Sequence, residues 1–229
     1  MTGMRFVDLG VVTPEYSVCA DKIILSSYSE DTLLLYSRNR PCVSVGRFQR
    51  MEDTVDLEYA KNNGISIVRR ISGGSNIYSD ERQLTYSLIV SRDRLPTRRE
   101  GSFAVICGCV VSALRILGVD AEHKPINDIL VSGKKISGGA QARTADAVLQ
   151  HGSLILDVDD EVVRRSLRDN KKRTYDGLTS VRECLGRIPS RDAISDAMMT
   201  GFSEVFGPIT KGELTVSESR AIERSLSQN

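Results

Sequence analysis

The chain contains 229 residues, of which 40% are hydrophobic and 27% are charged, so it has enough apolar material for one sizeable core. Its 31 lysines and arginines nearly balance its 30 aspartates and glutamates, and the formal net charge is +1. Because this balance creates no global field that would attract nucleic acid or a membrane surface, we expect neither as a partner.

Cysteine and histidine usage argues against two further classes. The five cysteines contain no CxxC pair and the histidines number only two, which disfavours a disulfide framework and a zinc site. The N-terminal segment has no signal-peptide pattern, and no apolar run approaches the roughly 20 residues that span a bilayer. We therefore expect a soluble cytoplasmic protein whose thiols are reduced and mostly buried.

Apolar periodicity predicts strands and short helices over the first half of the chain. In chain order we expect a strand over Met4–Val12, a helix over 17–28, a strand pair formed by TLLLYSR and CVSVGRFQ, a helix over 53–63, the strand ISIVRR and a strand over Gln83–Ser91.

The second half begins with the clearest helix, over residues 102–117, which Ser102 is expected to cap and Gly118 to end. We then expect a hairpin that turns at Ser132-Gly133, a strand over 147–158, helices near 160–168, 190–206 and 217–227, and a polar loop over 170–189. Strands in the middle and helices gathered at the end predict a single α+β domain over residues 1–229.

Two glycine-rich junctions lie next to strong cations. RRISGGS runs from Arg69 to Ser75, and KKISGGAQ runs from Lys134 to Gln141. Glycine lets the backbone approach a ligand closely, successive amides can surround an anion, and the cations add positive charge. Each junction alone also fits a solvated turn. The presence of both in one chain predicts a site for a phosphate-bearing or adenylated ligand.

The order of these segments resembles the lipoate–protein ligase family. RRISGGSNIYSD, NDILVSGKKISGGAQAR, HGSLILDVD and DGLTSVRECLGRI are similar to the family's RRxSGGGAVYHD, NDl…KisGsAqr, HGtLLl and kSVrsrV, and SVGRFQ resembles an earlier IGrnQ element. The match covers about residues 43–188. The resemblance implies the fold shared by lipoate and biotin ligases, an α+β arrangement with a mixed, mainly antiparallel sheet flanked by helices.

The resemblance also implies an activity. Such ligases use ATP and Mg²⁺ to convert lipoate to lipoyl-AMP, and they then transfer the acyl group to one lysine of a small lipoyl carrier domain. By position, Lys135 would be the catalytic residue, a fixed positive charge beside the acyl carbonyl and the adenylate oxygens. Asn127 and Asp128 would lie by the magnesium and the phosphates, with Asp128 the candidate metal ligand. The other substrate- or ATP-binding residues that the resemblance implies are Arg70, Ser72, Gly73, Gly74, Ser75, Asn76, Ile77, Tyr78, Asp80, Ser137, Gly138, Gly139, Ala140, His151, Gly152, Ser180 and Arg182.

The sequence departs from the family pattern at several positions of the first motif. Ser75 and Asn76 replace glycine and alanine, Ser79 replaces histidine, and RQLT over residues 82–85 replaces the usual Gly-Asn-Leu-Asn. These changes alter the floor of the expected pocket, and they bear on the acyl group and the efficiency of adenylation rather than on the fold.

Two alternatives remain open. The first is an octanoyl or lipoyl transferase on the same fold, which uses no ATP and holds the acyl group on a cysteine. Neither the loop over 118–133 nor the segment over 164–179, where such cysteines occur, contains one, which leaves Cys184 as the only thiol to test. The second is a degenerate, non-catalytic acyl- or nucleotide-binding protein, which Ser75, Asn76 and Ser79 would favour.

The segment that follows the SVR motif is short, about 45 residues, which is enough for two helices. Many bacterial ligases of this kind carry a further C-terminal accessory domain. We therefore expect either a self-sufficient catalytic domain or a separate small accessory protein as a partner.

Overall fold

The computed structural model describes residues 3–168 and 177–228 and contains two sheets with helices around them. The strands are β1 (Met4–Val12), β2 (Thr32–Arg38), β3 (Cys42–Val45), β4 (Ser66–Arg69), β5 (Ile77–Ser79), β6 (Gln83–Ser91), β7 (Glu122–Lys124), β8 (Asp128–Val131), β9 (Lys134–Arg143), β10 (Ala147–Ile155) and β11 (Ile209–Lys211). The helices are α1 (Pro14–Ser26), α2 (Met51–Thr54), α3 (Leu57–Asn62), α4 (Arg99–Ile116), α5 (Asp160–Ser166), α6 (Val181–Leu185), α7 (Arg191–Phe206) and α8 (Val216–Leu226).

The larger sheet has eight strands in the order β11-β1-β2-β6-β10-β9-β8-β7. The strands from β2 to β7 pair antiparallel, and β1 pairs parallel with both β2 and β11. This is the mixed, mainly antiparallel sheet that the sequence predicts. Helices α4 and α7 bury an apolar cluster against one face, and α1 and α8 lie on the other face.

The smaller sheet has the order β4-β3-β5 and shares an apolar cluster with residues of α3 and α5. Here the predicted strand pair is wrong, because TLLLYSR (β2) and CVSVGRFQ (which contains β3) belong to different sheets. Both edges of β2 are already occupied, by β1 and β6, so β3 has no free edge of β2 to pair with. Residues 39–41 instead carry the chain across to the second sheet.

Several predicted boundaries also need correction, including the helix over 53–63, which is divided into α2 and α3. Helix α4 begins at Arg99 rather than at Ser102, whose hydroxyl donates to the Arg99 carbonyl (2.9 Å) inside the first turn. Gly118 follows the helix with φ +91°, as predicted. The predicted loop over 170–189 lies partly outside the described residues, and its second part contains α6. Ser180 caps α6 by accepting a hydrogen bond from the Glu183 amide. A capping serine of this kind favours the start of a short helix inside an otherwise polar segment.

None of the helices within the described residues combines the length and apolar character that crossing a membrane requires.

A buried ion pair connects the last helix, α8, to the first strand, β1. Glu218 on α8 accepts hydrogen bonds from both terminal nitrogens of Arg5 on β1, at 2.7 and 3.0 Å, and it also completes a capping box with Thr215. Burial alone would raise the pKa of Glu218, but the hydrogen bonds from Arg5 and Thr215 outweigh it and hold that pKa below its ordinary value.

Replacing Glu218 with glutamine should lower the free energy of unfolding at neutral pH by about 2 kcal/mol, because it leaves Arg5 without its main counter-charge. A carboxylate with a depressed pKa stabilises the fold above its unfolded pKa and loses that effect as pH falls through the folded pKa. The difference in stability between wild type and Glu218→Gln should therefore close as the pH falls below 4.5, the ordinary pKa of a glutamate side chain. Urea unfolding at several pH values measures it, with Glu223→Gln on the exposed side of α8 as control. A difference in the free energy of unfolding that persists unchanged at pH 3 would contradict the stabilising role of the ion pair between Glu218 and Arg5.

Candidate active site

A cavity of about 330 Å³ lies between the two sheets. The predicted site residues in its wall are Arg70, Gly74, Ser75, Asn76, Ile77, Tyr78, Asn127, Asp128, Lys135, Gly138, Gly139, Ala140, His151 and Gly152. The smaller sheet and the loop before β5 form one side, and β8, β9 and β10 of the larger sheet form the other. Both glycine-rich junctions of the sequence therefore face one space, which is a good fit to a single ligand site.

The glycine-rich loop is held in place by Arg70, whose side chain is only 5% exposed. Its guanidinium donates to the carbonyl oxygens of Ser44 (2.7 Å), Gly73 (2.8 Å) and Ser75 (2.6 Å), and its Nε donates to the Ser72 hydroxyl (3.0 Å). Burial, with a smaller effect of Arg38, lowers the pKa of Arg70 to about 10, so the group stays charged at neutral pH. Most of the donors of Arg70 thus shape the loop, and its positive charge still borders the cavity.

Two glycines meet where this loop touches the end of β3. A Cβ on Gly46 would lie 2.2 Å from the carbonyl oxygen of Gly74, and Gly74 itself has φ +91°. A side chain at Gly46 would have to displace backbone, and one at Gly74 would be strained by its positive φ. The close approach brings the Ser75 and Asn76 segment down onto the cavity.

The departures from the family pattern have structural partners. Asn76 accepts from the Gly46 amide (3.3 Å) and donates to the Thr54 hydroxyl at the end of α2 (2.5 Å), so it ties the loop to its surroundings. Ser79 accepts from Arg38 Nη1 (2.6 Å). Asn76 therefore links the loop to the end of β3 and to α2, whereas Ser79 links β5 to β2.

Lys135 lies across the cavity from the loop. Its Nζ is 2.6 Å from Asp128 Oδ1 on the neighbouring strand β8, and its side chain runs over Gly138, where a Cβ would lie 2.6 Å from that Nζ. The main chain of Lys135 bonds to Gly177 and Thr179, which brings Leu178 into the cavity wall. The ammonium group is therefore fixed in position by a carboxylate and by the absence of a side chain at residue 138.

The remaining predicted site residues lie behind or beside the wall. Ser72 is buried behind the loop, with Oγ 2.6 Å from His151 Nε2, and Gly73 gives its carbonyl to Arg70. Asp80 accepts from Arg82 (2.5 Å) at a bend away from the cavity. Ser137 is buried, and the Ser180 hydroxyl caps α6.

Arg182 is half-exposed and pairs with Asp157 (2.9 Å) on the outside of the molecule. The structure therefore does not bring its guanidinium into the cavity. The amide of Arg182 bonds to the Leu156 carbonyl (3.0 Å), so this residue holds the segment after residue 177 against the end of β10.

Several residues of the wall are absent from the predicted set. They are Tyr36, Arg38, Ser44, Gln83, Thr85, Ser153, Ile155, Val158, Val163, Leu167 and Leu178. On β6 the alternation gives a usable signal, because Leu84 and Tyr86 face the core below α4 while Gln83 and Thr85 face the cavity. The apolar residues from β10 to α5 carry no such signal, since their pattern matches ordinary core positions.

The charges of the wall favour an anionic ligand. Arg38, Arg70 and Lys135 are the cations among its described residues, and Asp128 is the carboxylate, with Asp21 directly behind. The sum is positive, and a partly buried cavity strengthens such a field.

No thiol borders the cavity. All five cysteines lie among the described residues and none belongs to the wall. Cys107 lies behind Gln150, 3.8 Å from its amide nitrogen, and burial raises the pKa of this thiol to about 12. Cys184 is partly exposed on α6, where its closest described polar partner is the Thr179 hydroxyl, at 3.9 Å.

The structure is therefore a two-sheet α+β fold with a positively charged cavity, which has a glycine-rich loop on one side and a fixed lysine on the other. The chain belongs to the lipoyl protein ligase A/B catalytic domain family, whose model matches residues 14–203.

Individual relatives fall into two groups. The chain is 29% identical to the octanoyltransferase LipM of Geobacillus kaustophilus, with 98% of this chain and 94% of the relative covered. It is also 29% identical to the lipoate-protein ligase A subunit 1 of Thermoplasma acidophilum, with 92% and 86% covered.

Solved structures agree on the fold. A putative lipoate protein ligase from T. acidophilum with bound lipoic acid matches with a TM-score of 0.86 at 27% identity, over 99% of this chain and 96% of that chain. A lipoate-protein ligase A bound with ATP matches with a TM-score of 0.88 at 27% identity, over 100% and 96%.

The contact between Gly46 and Gly74 makes a direct prediction. Gly46→Ala should lower the free energy of unfolding by about 1–3 kcal/mol, because the new methyl group collides with a backbone carbonyl rather than with a mobile side chain. Gly108→Ala is the matched control, since Gly108 lies inside α4 with open space around it and should gain about 0.5–1 kcal/mol. Urea denaturation measures both. Equal stability of Gly46→Ala and wild type would show that the loop does not close on β3 as described.

Proposed function

We propose that the protein is an ATP-dependent lipoate–protein ligase that forms lipoyl-AMP and transfers the lipoyl group to a lysine of a carrier domain. The observation that carries this proposal is the content of the cavity wall, in which a fixed lysine is present and a thiol is absent among the described residues. Adenylation needs positive charge and oriented donors around an anionic phosphorus centre, whereas a thioester route needs a cysteine.

In the first half-reaction a carboxylate oxygen of lipoate attacks the α-phosphorus of ATP, and pyrophosphate leaves. Lys135 neutralises negative charge that builds on the phosphoryl and carboxylate oxygens, and the glycine-rich loop shapes the opposite side of the site. The apolar side chains of Ile155, Val158 and Val163 give the hydrocarbon part of the acyl group a dry surface.

In the second half-reaction the neutral amine of the carrier lysine attacks the acyl carbonyl, an amide forms, and AMP leaves. Lys135 again serves as the fixed positive charge, now beside the departing AMP oxygen. Its contact with Asp128 holds it in one place for both steps.

The residues of the cavity fit a magnesium ion that arrives with the nucleotide. The described residues contain no cluster of three or more His, Cys, Asp and Glu side chains that could hold a metal by itself. Magnesium bound to ATP usually needs only one or two protein carboxylates beside phosphate oxygens and waters, and Asp128 can supply one. Its chemistry there would be to neutralise phosphate charge.

A transferase without ATP is the second candidate, and the similarity to octanoyltransferases named LipM favours it. That reaction would need a thiol to carry the acyl group. Cys184, on the segment that also contributes Leu178 to the wall, is the candidate thiol that is not fully buried.

Exchange of labelled pyrophosphate into ATP, dependent on lipoate, tests the ligase directly. Wild type should catalyse the exchange, and Lys135→Ala should lower its rate by roughly 100- to 1,000-fold because a charge that stabilises the transition state is lost. Lys134→Ala is the matched control, since its ammonium pairs with Glu183 (3.0 Å) on the outside of the same strand.

Wild type that shows no exchange, alone or together with an accessory polypeptide, would refute the ligase. Acylation of Cys184 from an octanoyl-carrier thioester, seen by intact mass and lost in Cys184→Ala, would instead establish the transferase. Binding of lipoate and ATP without either reaction would indicate a degenerate binding protein.

The acceptor we propose is a lipoyl carrier domain, and a separate accessory polypeptide is a proposed second partner. The similarity to a protein named as one subunit of a ligase supports the accessory partner. If the purified chain alone fully lipoylates an apo-carrier, as judged by the mass of the carrier, the accessory partner is unnecessary.

A further inference from the structure

A chain of buried hydrogen bonds connects helix α1 to the glycine-rich loop. Asp21 Oδ2 on α1 lies 2.7 Å from His151 Nδ1 on β10, and His151 Nε2 lies 2.6 Å from the Ser72 hydroxyl. Ser72 accepts from Arg70 Nε (3.0 Å), and Arg70 holds the carbonyls of Gly73 and Ser75. Nothing in the sequence patterns singles out Asp21.

The donors and acceptors along this chain restrict the directions of its hydrogen bonds. A guanidinium only donates, so Ser72 Oγ accepts a hydrogen bond from Arg70 and can donate its own hydroxyl proton to another atom. The carboxylate of Asp21 only accepts, so His151 must donate from Nδ1. In the tautomer with its proton on Nδ1, His151 offers the lone pair of Nε2 to the Ser72 hydroxyl, 2.6 Å away.

The groups around Asp21 support an ionised carboxylate. Arg38 on β2 is buried beside it, and Asp21 is one of the charges that raise the pKa of Arg38 against the opposing effect of burial. The Tyr36 hydroxyl lies 3.4 Å from Asp21 Oδ2, and burial first and Asp21 second raise the pKa of Tyr36, so that hydroxyl keeps its proton.

The position of Asp21 carries a cost. Its second oxygen, Oδ1, is buried and has no hydrogen-bond partner among the described residues. Leaving a buried acceptor without a hydrogen bond is energetically costly. An apolar side chain would avoid that cost, which indicates that the carboxylate of Asp21 has a use beyond packing.

The three side chains have the order of a serine-hydrolase triad, yet Ser72 is not placed to act as a nucleophile. It is 1% exposed, it does not belong to the cavity wall, and its oxygen already accepts from Arg70. What the arrangement controls is the loop on which Ser72 and Arg70 lie.

We propose that Asp21 is a positioning residue that holds His151 with its proton on Nδ1 and thereby, through Ser72 and Arg70, sets the conformation of the glycine-rich loop at the cavity. The effect of Asp21 on catalysis rests on the function proposed above. Its effect on the His151 tautomer and on the conformation of the loop does not rest on that function, so the two effects can be tested separately.

The tautomer is directly measurable because the chain has only two histidines. With ¹⁵N-labelled histidine, long-range proton–nitrogen NMR spectra distinguish the two neutral forms, and His123→Gln assigns the remaining signal to His151. Wild type should show the Nδ1–H form. Asp21→Asn should move His151 toward the Nε2–H form, since an amide can turn its N–H to the ring.

Hydrogen–deuterium exchange measures local opening of the glycine-rich loop, and this measurement does not depend on catalytic activity. Asp21→Asn should speed exchange of the amides over residues 72–77 by about tenfold, and lower the pyrophosphate exchange rate by roughly ten- to a hundredfold. Asp21→Glu, which keeps the charge, should recover part of both.

Asp31→Asn is the matched control. Asp31 is an equally buried carboxylate at the opposite end of β2, where it pairs with Arg94 and accepts from Tyr28 (2.7 Å). This variant should lose stability without changing the His151 tautomer or exchange in the loop.

An Nε2–H form in wild type would overturn the proposal, and this measurement needs no variant to fold. So would an Asp21→Asn protein with an unchanged tautomer, or one whose loop exchanges no faster than that of Asp31→Asn. If the tautomer and loop respond while wild type shows no pyrophosphate exchange, the ligase reaction fails and the positioning role of Asp21 stands.

Discussion

The site depends on one buried guanidinium. Arg70 binds carbonyl oxygens of β3 and of the glycine-rich loop at once, so it joins the smaller sheet to the segment that closes the cavity. Taking a charge out of water is costly unless hydrogen bonds replace the lost hydration, and these carbonyls provide them. The glycines at 46 and 74 follow from the same constraint, because only bare backbone can approach closely enough for the carbonyls to converge.

The cavity that results has both charged and apolar groups in its wall. Arg38, Arg70 and Lys135 supply positive charge, and valine, isoleucine and leucine side chains supply apolar surface. This combination suits a ligand with an anionic head and an apolar tail. None of the cysteines belongs to that surface, and Cys107 and Cys109 of α4 pack in the core between this helix and the larger sheet. The transferase alternative therefore needs movement of the segment that carries Cys184.

Much of this could be predicted from the sequence, and the failures have physical causes. The ordered motifs predicted residues on both sides of the cavity. Close approach of the backbone requires glycine and positive charge requires arginine or lysine, and both residue types are visible in the sequence. The placement of β3 in a second sheet could not be read from TLLLYSR and CVSVGRFQ, since sheet membership depends on which edges are already paired. Asp21 was missed because a single carboxylate on an amphipathic helix looks like an exposed residue, and its buried contact with His151 joins positions 130 residues apart.

The proposed ligase reaction requires the cavity to hold an acyl-adenylate between the glycine-rich loop and Lys135. A crystal structure of the protein with a non-hydrolysable lipoyl-adenylate, in which a sulfamoyl group replaces the phosphate, would test this. We expect the sulfamoyl linkage to lie within hydrogen-bonding distance of Lys135 Nζ, with the lipoyl chain inside the cavity. An analogue bound outside the cavity, or bound inside with its linkage remote from Lys135, would contradict it.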